Sequence, residues 1–307
     1  MEVFSYLQDH HIEGKAVLPA VEALIILARI AKTNFPQVEP LPQEPESPFQ
    51  NATSRDGQKA FNPQRELGAF CRGVNIRCMR KARFFRFLSI SPEARRMEII
   101  VDLDRTDHGV VASLLTSVKS KTGTISRTVE HARVEFAAAD SALSPMPLPI
   151  VVKKLGGNCI NLPSTAIYRE LVPFGTAYQN IDGDLSVSPE GALAYVSGGG
   201  NEADEDLLGS PFPLDAAMHA ACVWGHRFCG IVPFPTGFEK RLIYKKTKKG
   251  GIYLGRVVPV NSEHNSLTVD IWIYDSDGVI YESISGIQMR DTSQGRLKPP
   301  EWIKADL

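Results

Sequence analysis

Two short segments in opposite halves of the chain carry residue types suited to acid–base chemistry. In the first, HHIEGKAVLP, His10 precedes Gly14 and Pro19. A glycine lets backbone approach a ligand closely, and a proline suits the start of a helix, whose first N–H groups stay free. Such N–H groups stabilise a developing oxyanion, so a neighbouring histidine is placed to remove a proton next to a carbonyl. The alternative is that His10 and His11 are ordinary surface histidines before a helix.

The second segment is PFPLDAAMHAACVWGHRFCG, in which Asp215 and His219 are four residues apart. This spacing puts both side chains on one face of a helix. The neighbours of Asp215 are apolar, and a carboxylic acid kept protonated by apolar surroundings can give a proton to a poor leaving group. The alternative is that Asp215 only stabilises the free N–H groups of a helix start.

The same helix carries Cys222, His226 and Cys229, which together with His219 suggest a zinc site. Ten residues of helix span about 15 Å. Ligands of one zinc ion lie only about 2.0–2.3 Å from it. The four side chains therefore cannot share a metal, and we predict no metal site. We interpret the cysteines as small buried side chains on a core face.

A third segment, ELVPFGTAYQNI, is typical of a turn that leads into a strand. The sequence lacks the Gly-x-Ser-x-Gly motif of α/β-hydrolases. The glycines at 198–200 are not followed by the Lys and Ser or Thr of a phosphate-binding loop. The sequence therefore gives no sign of a nucleotide site.

The composition narrows the function classes. The chain of 307 residues has 34 basic and 35 acidic side chains, whereas a dedicated nucleic-acid binder is usually basic. Five irregularly spaced cysteines favour reduced thiols in the cytoplasm over a disulfide framework. The start of the sequence does not resemble a signal peptide, and the longest apolar stretch, 20–31, is shorter than the roughly 20 residues of a membrane span. We expect a cytoplasmic protein without membrane insertion.

Two clusters of basic residues stand out against this neutral total. They consist of Arg72, Arg77, Arg80, Lys81, Arg83 and Arg86, and of Lys240, Arg241, Lys245, Lys246, Lys248 and Lys249. On strands such clusters are usually solvated faces. The alternative is a docking surface for an acidic partner.

The elements that must position these motifs occur in a repeated order. A helix is predicted at 20–32 and strands between 71 and 136, among them RFFRFLSIS at 83–91. A second helix is predicted from about Leu214 to Phe228, followed by four strands. The pattern predicts two α+β units, each wrapping an antiparallel sheet around one long helix.

The predicted boundaries follow from proline-rich stretches, which do not fit central strands. We place an N-terminal unit at 1–140, with a Pro-rich insertion or loop at 36–64. A linker at 141–155 and a C-terminal unit at 156–307 follow.

Taken together, these segments resemble the dehydratase domains of polyketide synthases over nearly the whole chain. The family motif His-x3-Gly-x4-Pro matches His10, Gly14 and Pro19, and Asp-x3-Gln/His matches Asp215 and His219. A Tyr-Gly-Pro-x-Phe-like motif is matched loosely by Phe174, Gly175, Thr176 and Tyr178. The resemblance implies a double hotdog fold, which agrees with the two predicted units.

The resemblance also implies a hydro-lyase of polyketide or fatty acid biosynthesis. His10 would remove the α-proton of a β-hydroxyacyl thioester, and Asp215 would protonate the departing hydroxyl. His219 would orient Asp215, and the backbone near Gly14 would hold the thioester carbonyl. The other motif residues, Pro19, Phe174, Gly175 and Tyr178, would shape the substrate pocket.

The implied substrate is tethered through the phosphopantetheine of an acyl carrier protein, and no metal or redox cofactor is needed. The implied partners are that carrier protein or other synthase domains. A homodimer is also implied, since related domains commonly pair. No nucleic-acid or membrane partner is expected.

Two departures from the family keep other functions open. Phe174 stands where the family has a tyrosine, so a pocket hydroxyl is missing. Nine residues precede His10 where members have a strand, so the first sheet is expected to lack an edge strand or to receive it from a partner. The alternatives are an enoyl isomerase or a polyketide cyclase, a non-catalytic acyl or carrier-protein binding module, and a hotdog thioesterase.

Overall fold

A computed structural model describes residues 1–36, 73–119, 126–139, 141, 146–147, 154–200, 205–263 and 265–304. Nearly all of the Pro-rich segment 36–64 and most of the linker 141–155 lie outside the described residues. The proposed boundaries of the two units therefore stay predictions.

The described elements are two long helices, several short helices and a series of strands. The strands are β1 (His11–Ile12), β2 (Lys15–Ala16), β3 (Val74–Phe84), β4 (Ile100–Thr106), β5 (Gly109–Lys119), β6 (Ser126–Ala138), β7 (Ile160–Pro163), β8 (Ile181–Ser188), β9 (Gly191–Ser197), β10 (Phe234–Ile243), β11 (Ile252–Glu263), β12 (Ser266–Tyr274) and β13 (Ile280–Arg290). The α-helices are α1 (Ala20–Asn34), α2 (Ser164–Ala166), α3 (Glu205–Leu208) and α4 (Phe212–Phe228). Single turns of 3-10 helix lie at Ser5–Asp9, Thr176–Tyr178 and Glu301–Ile303, and a π-helical turn lies at Ile167–Leu171.

Eleven strands form one antiparallel sheet in the order β4-β5-β6-β3-β10-β13-β12-β11-β9-β8-β7. The predicted α+β class with antiparallel sheets is confirmed. The strands of the two predicted sheets are continuous, because β3 of the first half pairs with β10 of the second, with Phe238 opposite Ala82 and Leu242 opposite Cys78. This edge-to-edge junction brings the two halves of the chain together.

Each long helix packs on one half of the sheet. Helix α1 lies against β3, β4, β5 and β6, and α4 lies against β8, β9, β11 and β12. Helix α4 is buried along almost its whole length, which fits its largely apolar sequence. Gly225 permits the close packing, since a side chain there would collide with Pro233 and Leu267.

The helix predictions at 20–32 and 214–228 are confirmed to within two residues. Helix α1 continues to Asn34, where the side chains of Thr33 and Asn34 donate hydrogen bonds to the carbonyls four residues earlier. No helix in the described part of the chain is long and apolar enough to cross a membrane.

The strand predicted at 83–91 is only partly right, because β3 ends at Phe84. Beyond it the chain runs beside the segment that follows His10. The N–H of Leu18 donates to the carbonyl of Leu88 at 2.8 Å, and the N–H of Ile90 donates to Ala16 at 2.8 Å. The alternating residues after Phe84 do form backbone hydrogen bonds in an extended conformation. They pair with the segment at 16–18 and not with a strand of the main sheet.

Candidate active site

A cavity of about 940 Å³ is lined by side chains from both halves of the chain. Among the predicted site residues, the following line it: His10, Gly14, Phe174, Asp215 and His219. Pro19, Gly175 and Tyr178 do not line the cavity. Both predicted acid–base residues thus face one apolar chamber.

His10 follows the 3-10 turn Ser5–Asp9 and is held by Val17. The N–H of Val17 donates to the carbonyl of His10 at 2.8 Å, and Nδ1 of His10 lies 3.1 Å from the carbonyl oxygen of Val17. A carbonyl oxygen only accepts, so Nδ1 carries the proton and Nε2 is the basic nitrogen. Burial lowers the pKa of His10 to about 4, although nearby Asp215 acts in the opposite direction. The ring is therefore neutral near pH 7, as a base must be.

Gly14 belongs to a tight turn that sets this geometry. Strands β1 and β2 pair with His11 opposite Ala16, and the two residues between them, Glu13 and Gly14, have φ of 49° and 74°. Two left-handed residues in a two-residue hairpin are typical of a type I′ turn, which favours glycine. The glycine is needed for its φ angle, because a Cβ at Gly14 would meet nothing within 4 Å. The hairpin keeps His10 beside Val17.

Asp215 and His219 lie on the N-terminal half of α4, and each residue is about 5% exposed. Nε2 of His219 is 3.0 Å from Oδ2 of Asp215. The two atoms are close enough for an ion pair but are not aligned as a hydrogen bond. Oδ2 and both imidazole nitrogens have no hydrogen-bond partner among the described residues. Buried polar atoms without partners are costly, so these atoms are available to a bound molecule.

Phe174 brings the two catalytic segments into contact. Its ring centroid lies 4.3 Å from the ring of His10 and 5.0 Å from the ring of His219. An aromatic ring at these distances packs directly on both imidazoles. Phe174 thus contacts both the proposed base and the histidine of the acid pair, and its packing restricts both imidazole rings.

The segment that carries Phe174 is tied to Asp9, a residue that the sequence motifs did not single out. The N–H of Gly175 donates to the carbonyl of Asp9 at 2.8 Å, and the N–H of Ala177 donates to its carboxylate at 2.9 Å. A Cβ on Gly175 would collide with the Asp9 side chain, which explains the glycine. The only signal in the sequence was the position of Asp9 directly before His10.

Two motif residues, Tyr178 and Pro19, lie next to groups that line the cavity without lining it themselves. The Tyr178 ring is fully buried, 5.1 Å from the ring of His10, and its hydroxyl has no hydrogen-bond partner among the described residues. Pro19 caps α1, since its carbonyl accepts the N–H of Ala23 at 3.0 Å. Ala20 and Ala23, in the first turn of that helix, line the cavity.

A second buried carboxyl lies near the site and was also missed from the sequence. Glu22 of α1 is 8% exposed and accepts a hydrogen bond from the Tyr6 hydroxyl at 3.0 Å. Burial raises the pKa of Glu22 to about 7, and the nearby carboxyl of Asp215 acts in the same direction. Burial also raises the pKa of Tyr6, so the tyrosine remains a donor. The sequence of α1 is typical of an apolar helix, so it gives no indication that the carboxyl of Glu22 lies near the site.

Within the described residues, no group of three or more His, Cys, Asp and Glu side chains is arranged to hold a metal ion. Cys78, Cys159, Cys222 and Cys229 are free thiols, while Cys71 lies outside the described residues. Cys222 is buried in the core, as the sequence predicts, and it also lines the cavity.

Comparison with known proteins relates the second half of the chain to a described family. Residues 162–299 match the family described as the polyketide synthase dehydratase N-terminal domain. The chain has the double hotdog fold of polyketide synthase dehydratase domains. The predicted resemblance to this family is therefore confirmed. A search of curated protein sequences finds no match.

Solved dehydratase domains share the fold across almost the whole length. The dehydratase domain of RzxB from Pseudomonas fluorescens is 12% identical with a TM-score of 0.64, covering 94% of this chain and 90% of its own. The dehydratase domain of the CurJ module of curacin polyketide synthase is 14% identical with a TM-score of 0.64, covering 93% and 86%. That of PpsC from Mycobacterium tuberculosis, in complex with C12:1-CoA, is 17% identical with a TM-score of 0.58, covering 94% and 89%. At these identities the likeness establishes the fold.

Proposed function

We propose that this protein removes water from a β-hydroxyacyl thioester to give an α,β-unsaturated thioester. One observation carries the proposal: His10 from the first half and Asp215 from the second line the same cavity, with Phe174 packed on His10 and on the Asp215 partner His219. Elimination of water requires a base and an acid that both reach the substrate, and these two residues line one apolar chamber.

The proposed reaction needs no group beyond these side chains. Nε2 of His10 takes the α-proton, and the electron pair of the C–H bond forms the double bond as the β-carbon–oxygen bond breaks. The carboxyl of Asp215 gives its proton to the departing hydroxyl, which leaves as water. Exchange with water then returns the proton to Asp215 and removes the proton from His10.

His219 has a positioning role in this proposal. Its Nε2 lies 3.0 Å from Oδ2 of Asp215, so a small rotation of either side chain makes a hydrogen bond that orients the carboxyl. The turn at Gly14 lines the cavity beside His10, and its backbone is our candidate for holding the thioester carbonyl.

The substrate class follows from the shape and the rim of the cavity. A chamber of this volume with an apolar lining suits a long acyl chain. The complex of the PpsC domain with C12:1-CoA supports an acyl thioester as the ligand type. Arg86 and Lys298 are exposed and line the cavity, so they would meet the phosphate of a phosphopantetheine arm or an acidic carrier protein.

The described strands that carry the two basic clusters are neighbours in the sheet, which supports a carrier-protein surface, while Arg72 lies outside the described residues. Lys240 of β10 is directly opposite Arg80 of β3. Arg241 takes no part, because it is buried and paired with Glu282 at 2.8 Å. Lys81 and Arg83 have acidic partners in Glu135 and Glu239.

The test is turnover of a β-hydroxyacyl pantetheine thioester, followed by mass spectrometry as loss of water. His10→Ala and Asp215→Asn are each expected to lower turnover by about 10²- to 10⁴-fold. His108→Ala and Asp104→Asn are matched controls, since both side chains are exposed on the β4–β5 hairpin. Turnover that survives both active-site changes contradicts the proposal.

The same assay separates the alternative functions. An enoyl thioester whose double bond moves, without dehydration of the hydroxyacyl substrate, indicates an isomerase. Release of free thiol indicates a thioesterase. Binding of an acylated carrier protein without any product indicates a binding module.

A further inference from the structure

The cavity extends along α4 beyond the acid pair. One face of this helix lines it, at steps of three and four residues that keep side chains on one side. The lining residues of this face are Asp215, Met218, His219, Cys222 and His226. The proposed elimination uses only the first turn of this face and leaves the last two residues without a role.

Cys222 and His226 form a buried polar pair. Sγ of Cys222 lies 3.4 Å from Nε2 of His226, and the side chains are 9% and 1% exposed. The other imidazole nitrogen, Nδ1 of His226, has no hydrogen-bond partner among the described residues. The buried imidazole of His226 therefore lines the cavity with one nitrogen that has no hydrogen-bond partner among the described residues.

The surroundings keep both groups neutral. Burial raises the pKa of Cys222 to about 12 and lowers the pKa of His226 to about 4. A thiol with a raised pKa is a poor nucleophile, which argues against covalent chemistry at Cys222. Two ligands are also too few for a structural metal site. What remains is neutral hydrogen bonding to a molecule in the cavity.

A plain hydrocarbon chain would leave Nδ1 of His226 unsatisfied, and an unmet buried hydrogen bond is costly. We propose that Cys222 and His226 form a second, polar subsite that binds a hydroxyl or keto oxygen on the acyl chain, remote from the thioester. The inference rests on the proposed function, since it takes the cavity to hold an acyl thioester. It narrows the substrate class to chains that are oxygenated beyond the reacting carbons.

The helix sets the distance between the two subsites. Eleven residues separate Asp215 from His226, which is about 16 Å of helix. Both side chains tilt towards the N-terminus of the helix, so the tilt leaves this separation largely unchanged. Bond angles near 111° shorten the advance of an extended chain to about 1.25 Å per carbon–carbon bond, so the oxygen belongs roughly eleven to thirteen bonds from the β-carbon.

The test uses binding, so that it does not depend on turnover. Two saturated acyl-pantetheine thioesters of equal length are compared by calorimetry, one plain and one with a hydroxyl in that window. Neither has a β-hydroxyl, so neither can be dehydrated. In His226→Leu the preference for the hydroxylated chain, expressed as the ratio of the two Kd values, is expected to fall about 3- to 10-fold relative to the unmodified protein.

Cysteine variants provide an independent measurement if His226→Leu does not fold. Cys222→Ala removes the partner of Nε2 and is expected to weaken the preference, while Cys222→Ser keeps a hydrogen-bonding group and is expected to retain most of it. Cys229→Ala is the matched control, because that thiol is on the same helix end but does not line the cavity. Circular dichroism establishes that each variant is folded.

The outcomes separate the two proposals. An unmodified protein that binds both chains equally, or variants that weaken both chains alike, would overturn the polar subsite. Preference for the hydroxylated chain without any dehydration of β-hydroxyacyl substrates would leave the subsite standing and overturn the proposed function. Dehydration of β-hydroxyacyl substrates without a preference for the hydroxylated chain would support the proposed function and overturn the polar subsite.

Discussion

The carboxylate of Asp9 accepts a hydrogen bond at 2.9 Å from the backbone N–H of Ala177, a residue 168 positions away in the sequence. The carbonyl of Asp9 also accepts the N–H of Gly175 at 2.8 Å. These two bonds fasten the segment that carries Phe174 to the residue before His10. The proposed base from the first half of the chain is therefore positioned by a loop of the second half.

Asp9→Ala is expected to lower kcat by about 10-fold with a smaller change in KM. Without these hydrogen bonds the loop would loosen, so the Phe174 ring would no longer hold His10 at a fixed angle. Small misplacements of a catalytic group lower the rate of the chemical step strongly. Asp9→Asn keeps an oxygen that accepts the Ala177 N–H, so it is expected to restore most of the activity. Steady-state kinetics on the β-hydroxyacyl substrate measure both effects.

The control for this prediction is Asp104→Ala, which removes an exposed carboxylate on β4. Equal losses in Asp9→Ala and Asp9→Asn would mean that the charge of Asp9 matters and not its hydrogen bond. A loss of thermal stability with kcat unchanged would assign Asp9 a purely structural role.

Phe174→Tyr tests whether the hydroxyl typical of the family is compatible with this site. The ring contacts with His10 and His219 would persist, so turnover is expected to stay within about 3-fold of the unmodified protein. Phe174→Ala removes those contacts and is expected to cost at least about 10-fold in kcat. The two variants are compared on the same thioester, and equal activity of Phe174→Ala and the unmodified protein would contradict the role given to the ring.

Much of the fold was predictable because it depends on local patterns. The apolar helix at 20–32, the apolar helix that carries Asp215 and the strands of the second half follow from periodicity and turn residues. The edge-to-edge pairing of β3 with β10 was not predictable in this way, since it joins segments about 160 residues apart and leaves no local mark. The segment after Phe84 was unpredictable for the same reason, because alternating residues indicate an extended segment but do not show which segment it pairs with.

The site was predictable where chemistry and spacing coincide in one motif. His10, Asp215 and His219 stand in such motifs and share the cavity. Asp9 and Glu22 do not, because their roles arise from contacts made only after folding. Tyr178 illustrates the reverse case, since it lies in a matched motif but packs behind His10 and outside the cavity.

The pH dependence of kcat/KM is expected to show an acid limb near pH 4 to 5. Burial lowers the pKa of His10 to about 4, so the base stays neutral until the pH falls to that value. An unshifted histidine would give a limb near pH 6.5. Far-UV circular dichroism at each pH separates loss of activity from unfolding. A midpoint between pH 6 and 7 with intact structure would contradict the assignment of a neutral His10 with a lowered pKa.

Glu22→Gln is expected to stabilise the protein at pH 8 much more than at pH 5. Burial raises the pKa of Glu22 from its ordinary value of 4.5 to about 7, so the native chain holds a proton that the unfolded chain has released between those values. The stabilisation from this group is fully present below pH 4.5 and is lost as the pH rises through 7, which leaves a buried charge. Glutamine keeps an acceptor for Tyr6 without that charge. The gain at pH 8 is expected to be about 1–3 kcal/mol in the free energy of unfolding.

Urea unfolding of both proteins at pH 5 and pH 8 measures this gain. The lowered pKa values of His10 and His226 contribute to both proteins alike and cancel in the comparison. Glu98→Gln, an exposed glutamate before β4, is the matched control and is expected to change stability by less than about 0.5 kcal/mol at either pH. If Glu22→Gln destabilises equally at both pH values, the carboxylate is ionised and stabilised in the native protein, and the raised pKa is wrong.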